Sequence, residues 1–259
     1  RVPQVRLHVV SDVHGSVDAL AGAADGADGL ICLGDLVLFL DYDDPAGGIF
    51  GELFGAEATE RFVALRTAGD FEAARAFAGE QWARIGGDRA QHLQRAVHAQ
   101  YDALFAVMPD PTWLTYGNVD VPAYWPDHLR PGQRVVDGAS VTIDGLRVGF
   151  VGGGLRTAYR TPFERDDDDY AAAVAALGPV DVLCTHIPPA LPELTYDVVA
   201  RRFERGSAAL LAYLHEHRPA LHLHGHVHQP LVPRTRVGRT EVVNVGHFRG
   251  TGTPYVLQW

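Results

Sequence analysis

Short apolar runs that end in polar residues recur along most of this 259-residue chain, and they constrain its fold more than any other feature. The run at residues 6–10 leads into Asp12 and His14, and the run at 30–33 leads into Asp35. Apolar, β-branched runs of this length predict buried strands. Strands that alternate with helical segments are typical of an α/β layered fold, whose functional groups lie on loops at the carboxyl ends of the strands.

Three later runs, at residues 112–116, 180–185 and 219–223, end in polar residues in the same way. One such residue is explained by turn geometry, since Asp and Asn suit turns and lone histidines are often structural. Several of them, at strand ends that converge on one rim of a sheet, instead predict a cluster. Its members are Asp12, His14, Asp35, Asn118, His186, His226 and His228.

The chemistry of this set indicates metal binding. Carboxylate and amide oxygens with imidazole nitrogens suit manganese, iron, zinc or similar ions, and the lack of cysteine argues against an all-thiolate structural zinc site. Seven ligands exceed the needs of one ion. Two metal ions that share a carboxylate are therefore the expected cofactors.

The cluster residues occur in ordered motifs: Asp12-x-His14, Gly34-Asp35, Gly117-Asn118-x-Asp120, His186 and Gly225-His226-x-His228. This ordered set resembles the calcineurin-like metallophosphoesterase superfamily, and the resemblance spans residues 12–228. It implies a single domain over residues 1–259. The implied fold class is α/β (α+β), a four-layer metallophosphoesterase β-sandwich flanked by helices.

The resemblance also implies how two divalent or trivalent ions would be bound. One ion would be held by Asp12, His14 and His228, the other by Asn118, His186 and His226, and Asp35 would bridge them. Two cations about 3.5–4 Å apart clamp a phosphate and lower the pKa of a bridging water, whose hydroxide attacks phosphorus. The residues to which the resemblance assigns catalysis are Asp35, Asn118 and Asp120.

The sequence departs from the superfamily pattern after Asn118. Many members have a histidine there, which contacts phosphate and protonates the leaving group, whereas this chain has Val119, which cannot transfer a proton. Some bacterial phosphodiesterase-like members also lack the histidine, so the change is compatible with activity. Candidate substitutes for the proton donor are His222, His224 and His247, and an ordinary structural role is the alternative for each.

A second departure follows Asp35, where the Asp and Arg of protein serine/threonine phosphatases are missing. This difference argues against a protein phosphatase. Arg156 and Arg160, which follow a triple-glycine loop, are candidates to bind phosphate bidentately. We also expect His224 to be a candidate substrate-binding residue.

Residues 41–107 interrupt the alternation of strands and helices. Residues 41–55 are acidic and rich in glycine and predict an irregular loop, whereas 56–107 predict about three helices divided at Gly69 and Gly86-Gly87. The expected inward positions are Phe62, Leu65, Phe71, Phe77, Trp82, Ile85, Leu93, Val97, Tyr101, Leu104 and Phe105. This helical insertion is a candidate cap over a substrate cleft, and a scaffold or an oligomer interface is the open alternative.

Local signals predict three further features. Ser16 is the expected N-cap of a short helix that extends to residue 24, and Ser207 begins a helix that extends to residue 217. Asp144-Gly145, between two apolar runs, predicts a β-hairpin.

Composition limits the partners. A net charge of −10 and an isoelectric point near 5.6 argue against nucleic acid and anionic membranes as partners. The longest apolar run is too short to span a bilayer. Cys32 and Cys184 lie inside apolar runs, so we expect reduced thiols and a cytoplasmic location.

These observations favour a dinuclear metal-dependent phosphohydrolase, a hydrolase whose expected partner is a small phosphoester substrate. A phosphodiesterase acting on a small or nucleotide-like phosphoester is the leading hypothesis. A phosphomonoesterase of the same fold is the first alternative. A non-catalytic scaffold and a nuclease are the others; all seven ligand positions argue against the first, and the acidic charge balance argues against the second.

Overall fold

The computed structural model describes residues 4–259. Within that range the strands are β1 (Arg6–Val10), β2 (Gly29–Cys32), β3 (Thr112–Leu114), β4 (Gln133–Val135), β5 (Ala139–Ile143), β6 (Leu146–Val151), β7 (Gly154–Leu155), β8 (Glu164–Arg165), β9 (Val182–Thr185), β10 (Tyr196–Asp197), β11 (Arg202–Phe203), β12 (Leu221–His224), β13 (Arg234–Val237), β14 (Thr240–Asn244) and β15 (Tyr255–Gln258).

The helices are α1 (Val17–Ala21), α2 (Gly48–Phe54), α3 (Ala56–Thr67), α4 (Phe71–Ile85), α5 (Arg89–Val107), α6 (Asp167–Ala175), α7 (Pro192–Thr195), α8 (Ala208–His217) and α9 (Phe248–Thr251). A 3₁₀ helix spans Pro122–Asp127. Among the described residues, no helix combines the length and the apolar character that crossing a membrane requires.

Two large sheets carry the fold within the described range. The first has the order β15-β1-β2-β3-β4, with β1 to β4 parallel and β15 antiparallel to β1. The second has the order β13-β14-β12-β9-β6-β5, parallel from β14 to β6 and antiparallel at both edges. Each sheet therefore has a central group of parallel strands whose carboxyl ends lie on one side.

The two sheets share one apolar core. Leu7 and Val9 of β1 belong to the same buried cluster as Phe150 of β6, Cys184 of β9 and Leu223 of β12. Alternate residues reach this core because successive side chains of a strand point to opposite faces. A second buried cluster joins the other face of the second sheet to α6 and α8. The fold is thus mixed α/β. A four-layer arrangement also needs helices on the outer face of the first sheet, and these stay a prediction.

Several local predictions are confirmed. The strands predicted at 6–10 and 30–33 are β1 and β2, displaced by one residue at most. Asp144 and Gly145 form the two-residue turn between β5 and β6, and both have the positive φ that such hairpin turns require. The side chain of Ser207 accepts a hydrogen bond from the Leu210 N–H at 3.2 Å and caps α8.

Other local predictions are wrong. The segment 41–55 is not irregular throughout, because it contains α2. Here Gly47 and Gly48 begin a helix, although glycine disfavours helix interiors. Ser16 occupies the N-cap position of α1 as predicted, but its side chain makes no capping hydrogen bond, and α1 ends at Ala21 instead of residue 24.

The chain divides into two compact units, one containing the residues up to Leu36 and from Leu104 onwards, the other Val37–Ala103. The second unit is helical, and Gly69 and Gly86-Gly87 separate α3, α4 and α5 as predicted. Its aromatic side chains contact one another, with Phe50 stacked on Phe62 at a centroid distance of 4.4 Å. Ile85 was expected to be buried but is 37% exposed, because it lies in the last turn of α4. The role of a cap stays a prediction.

Candidate metal centre

The seven predicted ligands lie on loops that leave the carboxyl ends of parallel strands in both sheets. Asp12 and His14 follow β1, and Asp35 follows β2. In the same way Asn118 follows β3, His186 follows β9, and the last two histidines follow β12. The two sheets therefore bring together residues that lie more than 200 positions apart in the chain.

The backbone is unusual at these loops. Asp12, His14, Asp35 and His226 all have positive φ, between 42° and 70°, which non-glycine residues adopt at a cost of about 1–3 kcal/mol each. Such conformations persist where the surrounding structure fixes them, and they cluster at functional sites. Four of the seven predicted ligands share this property.

Two glycines of the motifs are required by close packing against the carboxylate ligands. A Cβ atom at Gly117 would lie 2.0 Å from Asp35 Oδ1, and one at Gly225 would lie 2.0 Å from Ser11 Oγ and 2.4 Å from Asp12 Oδ2. These distances are far below van der Waals contact. The glycine before Asn118 and the glycine before His226 therefore allow the loops to approach Asp35 and Asp12.

Asp35 lies at the centre of the cluster. Its Oδ2 is 3.4 Å from Nε2 of His186 and 3.8 Å from Nε2 of His14, so one carboxylate faces both groups of histidines. Its Oδ1 accepts a hydrogen bond from the Val119 N–H at 3.0 Å. Position 119 thus contributes its backbone to the site, which a valine can do as well as a histidine.

Asp120 anchors the two loops that carry Asp35 and Asn118. Its buried carboxylate accepts hydrogen bonds from the N–H groups of Asp35 (2.8 Å), Leu36 (3.0 Å) and Gly117 (2.8 Å). Burial and the nearby charge of Asp35 raise the pKa of Asp120 to about 6. These contacts give Asp120 a role even though position 119 has no histidine for it to orient.

Asn118, His186 and His226 form what we call the His186 half. Nδ1 of His186 donates to the Leu33 carbonyl at 2.9 Å, because a carbonyl oxygen can only accept, so Nε2 points into the cluster. Asn118 Oδ1 lies 3.0 Å from that Nε2, and the rings of His186 and His226 have centroids 5.1 Å apart. Donor atoms of Asp35, His186 and His226 all lie within 4.8 Å of one another.

Asp12, His14 and His228 form the His228 half. Nε2 of His228 is 3.4 Å from Asp12 Oδ1 and 3.4 Å from Nε2 of His14. His247 stacks on His228, with ring centroids 3.9 Å apart and an interplanar angle of 2°. The His228 side chain is 38% exposed, whereas that of His186 is fully buried, so the cluster opens to solvent at His228.

The residues fit the two metal ions that the resemblance implies. Carboxylate, amide and imidazole atoms face one another in both halves, and each such contact needs a positive charge between the atoms, supplied by a proton or by a metal ion. Asp12 Oδ1 is buried and, among the residues that the structure describes, has no hydrogen-bond partner. Oxygen and imidazole donors are typical of metal sites, and so is a tautomer fixed by a backbone carbonyl, as at His186.

The electrostatics of the cluster favour cations. Burial lowers the pKa of His186, but the charge and hydrogen bond of Asp35 outweigh it and raise that pKa to about 9. Burial raises the pKa of Asp12, yet the His228 imidazole, whose Nε2 is 3.4 Å from Asp12 Oδ1, holds it well below its usual range. The two carboxylates therefore stay ionised and attract positive charge to the imidazole nitrogens.

The predicted substrate-binding residues lie in different surroundings. The guanidinium of Arg156 pairs with the carboxylate of Asp166, and both side chains are more than half exposed. Arg160 is exposed and has positive φ. His224 is fully buried, and burial lowers its pKa to about 4. The role of these residues in substrate binding stays a prediction.

From the sequence, His247 is predicted only as a substitute proton donor. In the structure, donor atoms of His14, His228 and His247 lie within 4.8 Å of one another. The signal was present, because His247 also follows a parallel strand, β14. Thr161 and Glu164 are not predicted from the sequence; they are linked to Asn118 by hydrogen bonds, Thr161 from a loop without a periodic pattern and Glu164 from the start of β8. No rule based on strand ends identifies such residues.

Comparison with known proteins shows the fold. No protein-family model matches the sequence, and no curated protein matches it. One solved structure, for which no function is named, has a TM-score of 0.61 and 17% identity, covering 99% of this chain and 95% of its own. The crystal structure of TT1561 of Thermus thermophilus has a TM-score of 0.53 and 15% identity, covering 98% and 99%. At these identities the similarities establish the α/β fold alone.

Proposed function

We propose that this protein is a metal-dependent phosphohydrolase of the calcineurin-like metallophosphoesterase type, with phosphodiester hydrolysis as its main activity. The observation that carries the proposal is the arrangement of lone-pair donors in two groups that share Asp35. A single structural metal would need only one of these groups.

Two bound cations would offset the charge of a phosphoester and supply Lewis-acid activation of the attacking water. The chain supplies the remaining functions. Asp35, held by the Val119 N–H, sets the spacing of the two halves, and the Leu33 carbonyl orients His186. The close packing at Gly117 and Gly225 and the hydrogen bonds accepted by Asp120 keep these groups in place before substrate arrives. Catalysis requires this preorganisation.

Val119 favours substrates with good leaving groups, and the resemblance to bacterial phosphodiesterase-like members that also lack the histidine favours diesters. Position 119 offers no proton donor, so substrates whose leaving groups need little protonation react most readily. The acidic chain also needs bound cations to attract an anionic substrate, since its own net charge is −10. A phosphomonoesterase of the same fold remains the alternative within this class.

The test compares wild type with Asp35→Asn after reconstitution with Mn²⁺, on bis(p-nitrophenyl) phosphate and p-nitrophenyl phosphate. Loss of the shared carboxylate charge should weaken both halves. We expect diester turnover to fall about 1,000-fold, the equivalent of about 4 kcal/mol of transition-state stabilisation. Metal content, measured by elemental analysis, should fall in parallel.

Asp168→Asn is the matched control, because Asp168 is an exposed carboxylate in the first turn of α6. It removes one negative charge without touching the cluster and should leave metal content and turnover unchanged. Wild-type protein that binds two ions but hydrolyses neither compound would contradict the proposed activity. Wild-type protein that binds no metal would favour the non-catalytic scaffold.

A further inference from the structure

We infer that Thr161 and Glu164 are positioning residues that fix the orientation of the Asn118 side chain, so that its carbonyl oxygen faces the metal position; the inference rests on the proposed function. Asn118 offers one oxygen for a metal and an NH₂ group that cannot bind one. A rotation of its amide by 180° would exchange the two. The cluster therefore needs a contact that distinguishes the NH₂ group from the oxygen.

The contact is a chain of hydrogen bonds that runs away from the cluster. Nδ2 of Asn118 donates to Thr161 Oγ1 at 3.1 Å, and Thr161 Oγ1 donates to Glu164 Oε1 at 2.8 Å. On its other side, Asn118 Oδ1 lies 3.0 Å from Nε2 of His186. The amide thus has its donor on the threonine side and its acceptor in the cluster.

Glu164 determines which groups donate and which accept in this series of hydrogen bonds. Its carboxylate accepts four hydrogen bonds, from the N–H and hydroxyl groups of Thr157 and Thr161, at 2.6–3.1 Å. Burial raises the pKa of Glu164, but these hydrogen bonds lower it below its usual value, so the group is ionised and can only accept. The single hydroxyl hydrogen of Thr161 is therefore committed to Glu164, and its oxygen can only accept from Asn118.

The backbone places these residues beside Asn118. β7 and β8 are paired in parallel with Gly154 opposite Glu164, and the Phe163 N–H donates to the Asn118 carbonyl at 2.8 Å. The loop between these strands is thus attached to the Asn118 loop by backbone and by side chain. Contacts of this kind around metal ligands typically change metal affinity about 10–100-fold when removed.

The experiment titrates metal-free protein with Mn²⁺ alone by calorimetry and counts sites and affinities. Thr161→Val keeps the shape of the side chain but removes the hydroxyl, and it should weaken one of the two sites about tenfold. Thr161→Ser retains the hydroxyl and should stay within about twofold of wild type. Thr142→Val is the matched control, because Thr142 is an exposed threonine of β5 whose strand partner is Arg147.

The same Thr161→Val substitution in an Asn118→Asp protein separates the loss of the orienting contact from general effects on folding. Aspartate has two equivalent oxygens and needs no contact to orient it, so Thr161→Val should not weaken Mn²⁺ binding in Asn118→Asp protein. Equal affinities of wild type and Thr161→Val, or an equal loss in Thr142→Val, would overturn the inference and leave the proposed function standing. Wild type that takes up no Mn²⁺ would overturn both.

Discussion

In the His186 half, hydrogen bonds to groups outside the cluster orient the candidate ligands, whereas in the His228 half the His228 imidazole is packed against the ring of His247. Nδ1 of His186 binds the Leu33 carbonyl, and Asn118 binds Thr161. His228 instead stacks against His247 and is 38% exposed. A hydrogen bond sets one orientation, while a stacked ring can slide and tilt. We therefore expect the His186 half to bind its ion more tightly and the His228 half to exchange its ion more readily.

Removing one imidazole from each half tests the difference between the halves with the largest expected effect. His186→Ala and His228→Ala should each lower diester turnover about 1,000-fold, because each removes a ligand from a shared two-ion site. Added imidazole should restore activity at least tenfold in His228→Ala, where the vacated position is open to solvent, and should not in His186→Ala, which is buried. Activity with and without imidazole, together with metal content, measures this difference.

His215→Ala, which removes an exposed imidazole in the last turn of α8, is the control for nonspecific effects of imidazole. Equal restoration of both alanine variants would show that the two halves are equally accessible. Restoration of His186→Ala alone would reverse the comparison. Either result would contradict the distinction drawn from the exposure of the two side chains.

The clustering of the seven candidate ligands could be predicted from the sequence because each follows an apolar run. Strand propensity is local, and the carboxyl ends of parallel strands converge by geometry, so the cluster required no knowledge of distant contacts. The positions of Thr161 and Glu164 could not be predicted in this way. Thr161 is 43 residues from Asn118 in sequence, and its loop has no periodic pattern. Only tertiary structure brings the two together.

Other differences also have local causes. The helix α2 was not predicted because Gly47, Gly48 and Gly51 disfavour a helix, yet Gly51 fits where a Cβ atom would lie 2.6 Å from the Ala46 carbonyl. The burial of His224 is not evident from the sequence. Successive side chains of the strand point to opposite faces, so Leu223 lies in the inter-sheet core and His224 lies on the other face, which is also covered. A polar residue at a strand end is therefore not necessarily part of the site.

Gly225→Ala offers a smaller perturbation, which acts on the His228 half through its backbone. The added Cβ would lie 2.4 Å from Asp12 Oδ2, so either Asp12 or the loop must move. We expect the free energy of unfolding to fall by about 2 kcal/mol, as for other overpacked sites, with weaker metal binding in the same half. Chemical denaturation and Mn²⁺ titration measure the two effects.

Gly79→Ala is the control for a glycine replacement, because Gly79 is inside α4 and, apart from its chain neighbours and the backbone of its own helix, no atom lies within 4 Å of the added Cβ. It should stabilise the protein by about 0.5–1 kcal/mol, the usual gain from alanine in a helix. A Gly225→Ala protein as stable as wild type would mean that the Asp12 loop adapts freely. The His228 half would then be less constrained than its backbone conformation indicates.

His247 gives the smallest expected effect and the finest test of the comparison. If its ring holds His228 by stacking, His247→Phe keeps the contact and His247→Ala removes it. Aromatic pairs contribute about 0.5–1.5 kcal/mol beyond burial, so His247→Ala should weaken Mn²⁺ binding about threefold to tenfold in the His228 half, and His247→Phe should remain near wild type. Equal losses in both variants would instead show that a nitrogen of His247 contacts the metal or the substrate, and the ring-packing explanation would fail.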